Sequence, residues 1–510
     1  MMSTSTFPTK NEVPNPPELD RWRDEHSITR MKKLLVALGV ALLLGGCGDE
    51  HGHSDHKGNE PKESKRVGEP TKAGIVAEKF SNEIIEKMAA EANTLLEEGK
   101  YARAQAKMTQ AYGAFNNRTE KDEAMHVFFL KSFCKISDAL QENDKAIKYA
   151  EEVLTHALSD EDKIFAYGKL GSANSRKGEY DKAIASHEKA LQLGVDTLGP
   201  EHNKVALSYH NIGSVCLEQG EYDTAIAYHE RAVRIWLESL GSDHPRIASA
   251  YLGTGAAYAG KGAFGRATAN YDAALEIWLK KFGPDHPDVA TCYNNLGLAH
   301  DNDEDHAKAI TYHEKALAIR LKTQGAEHPD VAASYNNLGS AHDNNEEYDK
   351  AIDYHGKALA IWLKTVGPEH PSVATTYNNG AGAYSRKGDY DKAVNYYEKC
   401  LAIGLKTLGP THPDVAITYN NLGSAYEKKG VPDKAIGYYE KCLAIELKSL
   451  PPDHPDLADS HYNVGKTYAK KAEKAKALEH LEKAKDIWFK KRGPEDTYVK
   501  NAQAMIDGLK

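Results

Sequence analysis

Seven histidines recur in loops of this 510-residue chain at intervals of 42 residues. Imidazole is a common metal ligand, so such a series could indicate a metal centre. The spacing argues against one, because histidines one repeat apart cannot reach a single ion with ligands about 2 Å away. We predict instead that they cap helices or stabilise turns. The series is His202, His244, His286, His328, His370, His412 and His454.

Two further patterns resemble known binding motifs but lack a residue that the motif requires. His313-Glu314 resembles the start of the zinc motif His-Glu-x-x-His, but Leu317 stands where the second histidine belongs. Residues 255–262 and 460–467 resemble a phosphate-binding loop, yet each lacks one required residue and neither follows a strand. Neither pattern predicts a site.

A run of aspartates has the spacing of a calcium-binding loop. Asp301, Asp303 and Asp305 occupy alternate positions, but His306 replaces the required glycine and Tyr312 the terminal glutamate. We therefore predict a solvated turn.

Two columns within the repeat predict close helix packing. Glycine inside a helix costs about 1 kcal/mol, so its recurrence at one repeat position needs a packing reason. The glycines are Gly171, Gly213, Gly255, Gly297, Gly339, Gly423 and Gly465. Another column holds ring side chains in seven repeats, which we interpret as packing residues: His187, His229, Tyr271, His313, His355, Tyr397 and Tyr439.

A fixed period of this size predicts a stack of one helical unit, in which each unit buries its apolar face against its neighbours. In the unit Pro287–His328, apolar residues at helical spacing predict a first helix from Pro287 and a second from Ala307 to about Lys322. A recurrent alanine column counts ten helix pairs from about residue 73 to 493. Residues 494–510 predict a short capping helix, with Val499, Ala502, Met505, Ile506 and Leu509 on one face.

The overall composition argues against one class of function, nucleic-acid binding. The net charge of −9 and the isoelectric point near 6.2 lack the basic footprint of a nucleic-acid binder. Cys400 and Cys442 occupy one column of adjacent repeats, where helices lie roughly 8–10 Å apart, too far for a disulfide. We interpret these cysteines as small core residues.

The repeat resembles a known family. Its pattern of aromatic-x-x-Leu-Gly-x-x-aromatic, followed by alanine and an Ala-Leu pair, is similar to the tetratricopeptide repeat. The 42-residue form with Tyr-Asn-Asn-Leu-Gly and Gly-Pro-x-His-Pro-Asp-Val-Ala resembles the kinesin light chain subtype from Gly168 to Gly493. The resemblance implies an all-α, right-handed solenoid. A lipoprotein-like start departs from kinesin light chains, so a motor role is not implied.

Asparagine recurs on the predicted first helices although it is a mediocre helix former. In the resembling family these helices line a concave groove, and an asparagine column there bonds the backbone of an extended peptide. Carried over by column, the candidate peptide-binding residues are Asn211, Asn295, Asn337, Asn379, Asn421 and Asn463, with Gly253 breaking the series. The alternative is that these amides bond within the solenoid. We expect the side chains to point away from the interhelical core.

The front of the chain resembles a bacterial lipoprotein signal. Met31-Lys32-Lys33 precedes a 13-residue apolar run that is too short to span a membrane, and Leu44-Gly45-Gly46-Cys47 is similar to a lipobox. The resemblance implies cleavage before Cys47 and acylation of its thiol. Residues 47–72 then predict a flexible tether. Its histidines could bind metal weakly, although a hydrophilic linker is the simpler interpretation: His51, His53 and His56.

Together these features divide the chain into a start of disordered or mis-assigned residues (1–30), a signal peptide (31–46), a tether (47–72), degenerate repeats (73–158), a regular array (159–493) and a cap (494–510). We predict a non-catalytic, lipid-anchored adaptor of the bacterial envelope, on its periplasmic side or at the cell surface, that binds a protein or peptide segment. We expect no cofactor, no small-molecule substrate and no nucleic acid. The alternatives are a metal-handling envelope protein and a self-assembling scaffold.

Overall fold

A computed structural model of the chain describes residues 82–118 and 122–510. This part contains 21 α-helices and no strand. The chain divides into two compact units, an N-terminal unit that ends at Val431 and a C-terminal unit, Pro432–Lys510. The predicted signal, the tether with its histidines and Cys47 lie outside the described residues.

The N-terminal unit is a series of antiparallel helix neighbours in which consecutive helices contact one another. Odd-numbered helices are the first helix of a repeat and even-numbered helices the second. The helices are α1 Asn82–Glu97, α2 Tyr101–Asn116, α3 Glu123–Ala139, α4 Asn143–His156, α5 Asp160–Arg176, α6 Tyr180–Leu198, α7 Asn203–Gln219, α8 Tyr222–Leu240, α9 Pro245–Gly260, α10 Phe264–Phe282, α11 Pro287–Asn302, α12 His306–Gln324, α13 Pro329–Asn344, α14 Tyr348–Thr365, α15 Pro371–Lys387, α16 Tyr390–Thr407 and α17 Pro413–Lys428.

The C-terminal unit contains α18 Pro432–Ser449, α19 Pro455–Lys470, α20 Lys474–Arg492 and α21 Thr497–Leu509. Helix α21 buries Val499, Ala502 and Ile506, and Val499 and Ala502 pack in a cluster with Trp488. The predicted all-α array of helix pairs with a capping helix is therefore confirmed. No helix in the described ranges is long and apolar enough to cross a membrane.

The loop histidines are helix caps, as predicted. In each case the side-chain Nδ1 accepts a hydrogen bond from the backbone N–H two residues later, at distances such as 3.1 Å for His328 and 3.3 Å for His286. In six of the seven helices proline follows at the first helical position, where its missing N–H costs nothing. The cap requires a neutral imidazole, because a protonated Nδ1 cannot accept.

The glycine column brings helices of one repeat into close contact, as predicted. A Cβ atom on Gly297 would lie 2.6 Å from Cε1 of His313, and one on Gly255 would lie 2.5 Å from Cε1 of Tyr271. The ring side chains themselves are buried, with His313 only 1% exposed. The five cysteines in the described residues are also buried and free, which confirms that Cys400 and Cys442 are core residues.

Candidate functional site: the asparagine ladder

One face of α13, a first helix, stays partly open to solvent while most of its other residues are buried. On α13 this face runs through Asp330, Ala333, Asn337, Ser340 and Asn344, residues spaced three or four apart. The predicted asparagines occupy the centre of this face in successive repeats. We call them the asparagine ladder: Asn211, Asn295, Asn337, Asn379 and Asn421 in the N-terminal unit and Asn463 in the C-terminal unit.

Three ladder asparagines are joined to the preceding repeat through amide hydrogen bonds. Asn337 donates from Nδ2 to Oδ1 of Asn294, 2.9 Å away. The next two repeats follow the same pattern: Asn379 donates to Asn336 at 3.4 Å, and Asn421 donates to Asn378 at 3.1 Å. Each bond spans 43 residues and links one first helix to the next. These three side chains therefore share one orientation.

The accepting asparagines are fixed in turn by burial. Asn336 is 9% exposed, and its Oδ1 also lies 3.1 Å from Nδ1 of His355. An amide oxygen only accepts, so the His355 ring must donate from Nδ1. Burial lowers the pKa of His355 to about 3, which keeps the ring neutral. The first asparagine of one pair is thus a structural residue that orients the second asparagine of the next pair along the chain.

Asn295 corrects one expectation. Its side chain is 4% exposed, and its buried Nδ2 has no hydrogen-bond partner. The prediction that all ladder side chains point away from the interhelical core is therefore wrong at this position. Asn295 stands where the ladder resumes after its break, and the preceding repeat offers Leu252 instead of an asparagine acceptor. Asn337, Asn379 and Asn421 are half-buried and remain partly accessible.

The break at Gly253 has a packing cause. A Cβ atom there would lie 2.5 Å from Nε2 of His229, a side chain of the previous repeat. The His229 ring is held by His210, whose Nδ1 lies 3.1 Å from the Nδ1 of His229. Burial lowers the pKa of His210 to about 4 and that of His229 well below its usual value, so both rings are neutral. Asn211 precedes the break and is half-buried.

A second set of contacts between repeats borders the ladder and was missed by the sequence analysis. Arg386 donates to Oδ2 of Asp343 at 2.7 Å, and Asn344 donates to Oδ2 of Asp301 at 3.0 Å. Burial raises the pKa of Asp343 to about 6, although Arg386 opposes the shift. Both contacts span 43 residues, as the ladder bonds do. The shared separation of 43 residues is the sequence signal from which both contacts could have been predicted.

The aspartate side chains at positions 301–305 are not arranged as in a calcium-binding loop. Oδ1 of Asp301 lies 2.8 Å from Nδ1 of His306, and the Asp305 side chain accepts the backbone N–H of Lys308 as a helix cap. Across the described ranges no group of three or more histidine, cysteine, aspartate or glutamate side chains is placed to hold a metal ion.

Comparison with known proteins identifies the repeat. The tetratricopeptide repeat profile matches seven overlapping segments that together run from residue 162 to 488: 162–235, 204–271, 255–322, 302–361, 330–406, 372–448 and 414–488. The chain belongs to the tetratricopeptide repeat family. This membership supports a protein-interaction scaffold and indicates no catalytic family. A search of curated proteins finds no significant sequence match.

Several solved structures are similar to this tetratricopeptide repeat protein. The apo form of RapI matches with 16% identity and a TM-score of 0.53, over 72% of this chain and 98% of RapI, which supports the fold. BtubC (BKLC) from P. vanneervenii matches with 24% identity over 46% of this chain and 94% of its own, at a TM-score of 0.41. A Podosopora anserina kinesin light chain candidate with nearly identical TPR-like repeats matches with 29% identity over 41% and 98%, at a TM-score of 0.38.

Proposed function

We propose that this protein is a non-catalytic, lipid-anchored adaptor that binds an extended peptide or protein segment along its asparagine ladder. The observation that carries the proposal is the common orientation of Asn337, Asn379 and Asn421 by amide bonds to the preceding repeat. A polar side chain that is held in place on an open face loses little conformational entropy when it binds a ligand.

The chemistry of the ladder suits a peptide backbone. The amides of Asn337, Asn379 and Asn421 each use one Nδ2–H to bind the preceding repeat and keep a second N–H and a carbonyl oxygen. Those two groups match the carbonyl and N–H that every residue of an extended chain presents, whatever its side chain. The ladder would therefore select for extended conformation more strongly than for sequence.

The surroundings of the ladder leave room for a ligand. Three residues after Asn337, Asn379 and Asn421 stand small residues: Ser340, Gly382 and Ser424. A Cβ atom on Gly382 would meet only the Tyr397 hydroxyl, 3.9 Å away, so this position is open. A glycine that no neighbouring helix requires supports close approach of a bound chain.

The ladder is tested on a partner captured from membranes with the full-length protein as bait. The double change Asn337→Ala and Asn379→Ala should weaken binding by about ten- to a hundredfold, since each hydrogen bond contributes roughly 0.5–1.5 kcal/mol. Asn395→Ala is the matched control, because Asn395 is exposed on the second helix α16, away from the ladder. Unaltered affinity in a folded double variant would sink the proposal.

Anchoring rests on the lipobox resemblance at Leu44–Cys47. If Cys47 is acylated, Cys47→Ser should move the protein from the membrane fraction to the soluble fraction, or leave an unprocessed form of higher mass. Membrane fractionation and intact mass measure this. The same distribution and mass in both proteins would remove the anchor from the proposal and leave the ladder untouched.

A further inference from the structure

The C-terminal unit exposes large apolar side chains at one edge. Leu447 near the end of α18 is 56% exposed, Phe489 near the end of α20 is 50% exposed, and Tyr498 at the start of α21 is 48% exposed. We call these three residues the C-terminal apolar patch. Large side chains of this kind cost free energy when they face water, so their grouping at one edge calls for an explanation.

Polar and aromatic contacts bring the ends of these helices together. Lys491 at the end of α20 forms a 2.6 Å ion pair with Asp453 in the loop after α18. The Tyr498 ring lies 5.2 Å from the Trp488 ring, centroid to centroid, and the Arg492 guanidinium lies 4.9 Å above Tyr498. These contacts place Tyr498 beside the end of α20, the helix that carries Phe489, and join that end to the loop after α18, the helix that carries Leu447.

Cations without a partner border the patch. Three acidic groups around it already have partners: Asp453 pairs with Lys491, Glu495 pairs with Lys500 at 2.7 Å, and Asp496 accepts a hydrogen bond from the backbone N–H of Tyr498. In contrast, Lys448 and Lys490 directly follow Leu447 and Phe489, are exposed, and form no ion pair with any residue in the described ranges. Asp486, one turn before Phe489, is exposed and marks the acidic edge of the patch.

The charge of the whole unit differs from that of the remaining chain. Residues 432–510 contain 15 lysines and arginines against 13 aspartates and glutamates, whereas residues 1–431 contain 50 against 61. The partner of the patch should therefore be apolar with an anionic border. A second copy fits poorly, because a two-fold contact would bring the same patch, with its unpaired Lys448 and Lys490, against itself.

We propose that the C-terminal apolar patch binds the surface of an anionic lipid bilayer. Leucine and aromatic side chains enter the boundary between headgroups and acyl chains, while neighbouring lysines contact anionic headgroups. This contact would hold the C-terminal unit against a membrane. It is independent of acylation at Cys47 and of peptide binding at the ladder, so it can fail or succeed without them.

The test uses the full chain with Cys47→Ser and one introduced cysteine that carries an environment-sensitive dye. The five cysteines in the described residues are buried, so a new exposed cysteine reacts selectively. Leu447→Cys and Phe489→Cys report on the patch. Leu363→Cys is the matched control, because Leu363 occupies the column of Leu447 and Phe489 in the N-terminal unit and is 40% exposed. Vesicles contain phosphatidylcholine alone or equal parts phosphatidylcholine and phosphatidylglycerol.

Dyes at positions 447 and 489 should shift to the blue and be quenched by nitroxide lipids only with the anionic vesicles, and the dye at 363 should not respond. Replacing Lys448 and Lys490 by Gln should lower the response on the order of tenfold at low salt, and Asp486→Lys should raise it. An equal response at 363, a response to neutral vesicles, or no response would overturn the proposal. So would a shift that needs no vesicles and grows with protein concentration, since it would show that a second copy covers the patch.

Discussion

Two stretches of the N-terminal unit fill the same interhelical position with different side chains. In α11 to α17 the position before each ladder residue holds an asparagine, and the side-chain oxygens of Asn294, Asn336 and Asn378 accept a hydrogen bond from the next repeat. In α7 to α9 the corresponding position holds His210, which contacts His229, and the next ladder residue is Gly253. The backbone is the same helix pair in both stretches.

The difference shows which side chains are free to bind. Where an amide fills the interhelical position, the chain of hydrogen bonds reaches the open face and ends on an accessible asparagine. Where two imidazoles fill it, the ring of His229 takes the space of the ladder residue. We infer that α13 to α17 is the binding stretch and that α7 to α9 is packed for stability.

The largest expected effect is loss of stability in acid. Burial lowers the pKa of His187 and His210 to about 4, that of His313 and His355 to about 3, and that of His229 well below 6.5. Below pH 6.5 the unfolded chain binds protons that the folded chain excludes. Each histidine therefore contributes fully to the free energy of unfolding above pH 6.5. As pH falls below 6.5, that contribution is lost by up to about 1.4 kcal/mol per pH unit.

Urea unfolding at pH 7 and pH 4.5 measures this loss, and hydrogen exchange should show α7 to α9 opening early. The Asp343 carboxyl acts in the opposite sense: its pKa is raised to about 6, so its contribution is present in acid and lost as pH rises. His355→Tyr, a residue that the same column accepts as Tyr271 and Tyr397, should reduce the pH dependence. Equal stability at both pH values would contradict the assignment of neutral buried rings.

A smaller effect should follow from an attempt to restore the ladder at its break. Gly253→Asn places a Cβ atom against the His229 ring, and overpacking of this kind costs about 1–3 kcal/mol. Thermal unfolding measures the cost. The control is the double variant Gly253→Asn with His229→Ala. It removes the obstructing ring and should recover part of the stability. If Gly253→Asn alone is neutral, the break is not caused by packing.

The smallest effect is expected at Gly382, where the packing argument reverses. This glycine lies inside α15 with open space above it, so Gly382→Ala should stabilise the fold by about 0.5–1 kcal/mol through helix propensity. If the open space serves a ligand, the same change should weaken partner binding. A more stable variant with unchanged binding would show that the glycine has no part in recognition.

The repeat architecture was predictable because every relevant signal is local and repeated. The period of 42 residues, the capping histidines and the glycine column each follow from short-range rules of helix packing. The pairing of Asn337 with Asn294 was not predictable in the same way, because it depends on the rotation of one first helix against the next. For the same reason the burial of Asn295 and the Asp343–Arg386 contact were missed.

Recognition of a backbone by the ladder is tested most directly by a double-mutant cycle between the protein and its ligand. A captured peptide is synthesised with N-methyl groups at successive backbone positions, and its affinity is measured for the wild-type protein and for Asn337→Ala with Asn379→Ala. We predict that N-methylation at positions facing the ladder weakens binding to the wild type but costs little further in the double variant, giving a coupling energy above about 0.5 kcal/mol. Independent, additive losses would contradict backbone recognition by the asparagine ladder.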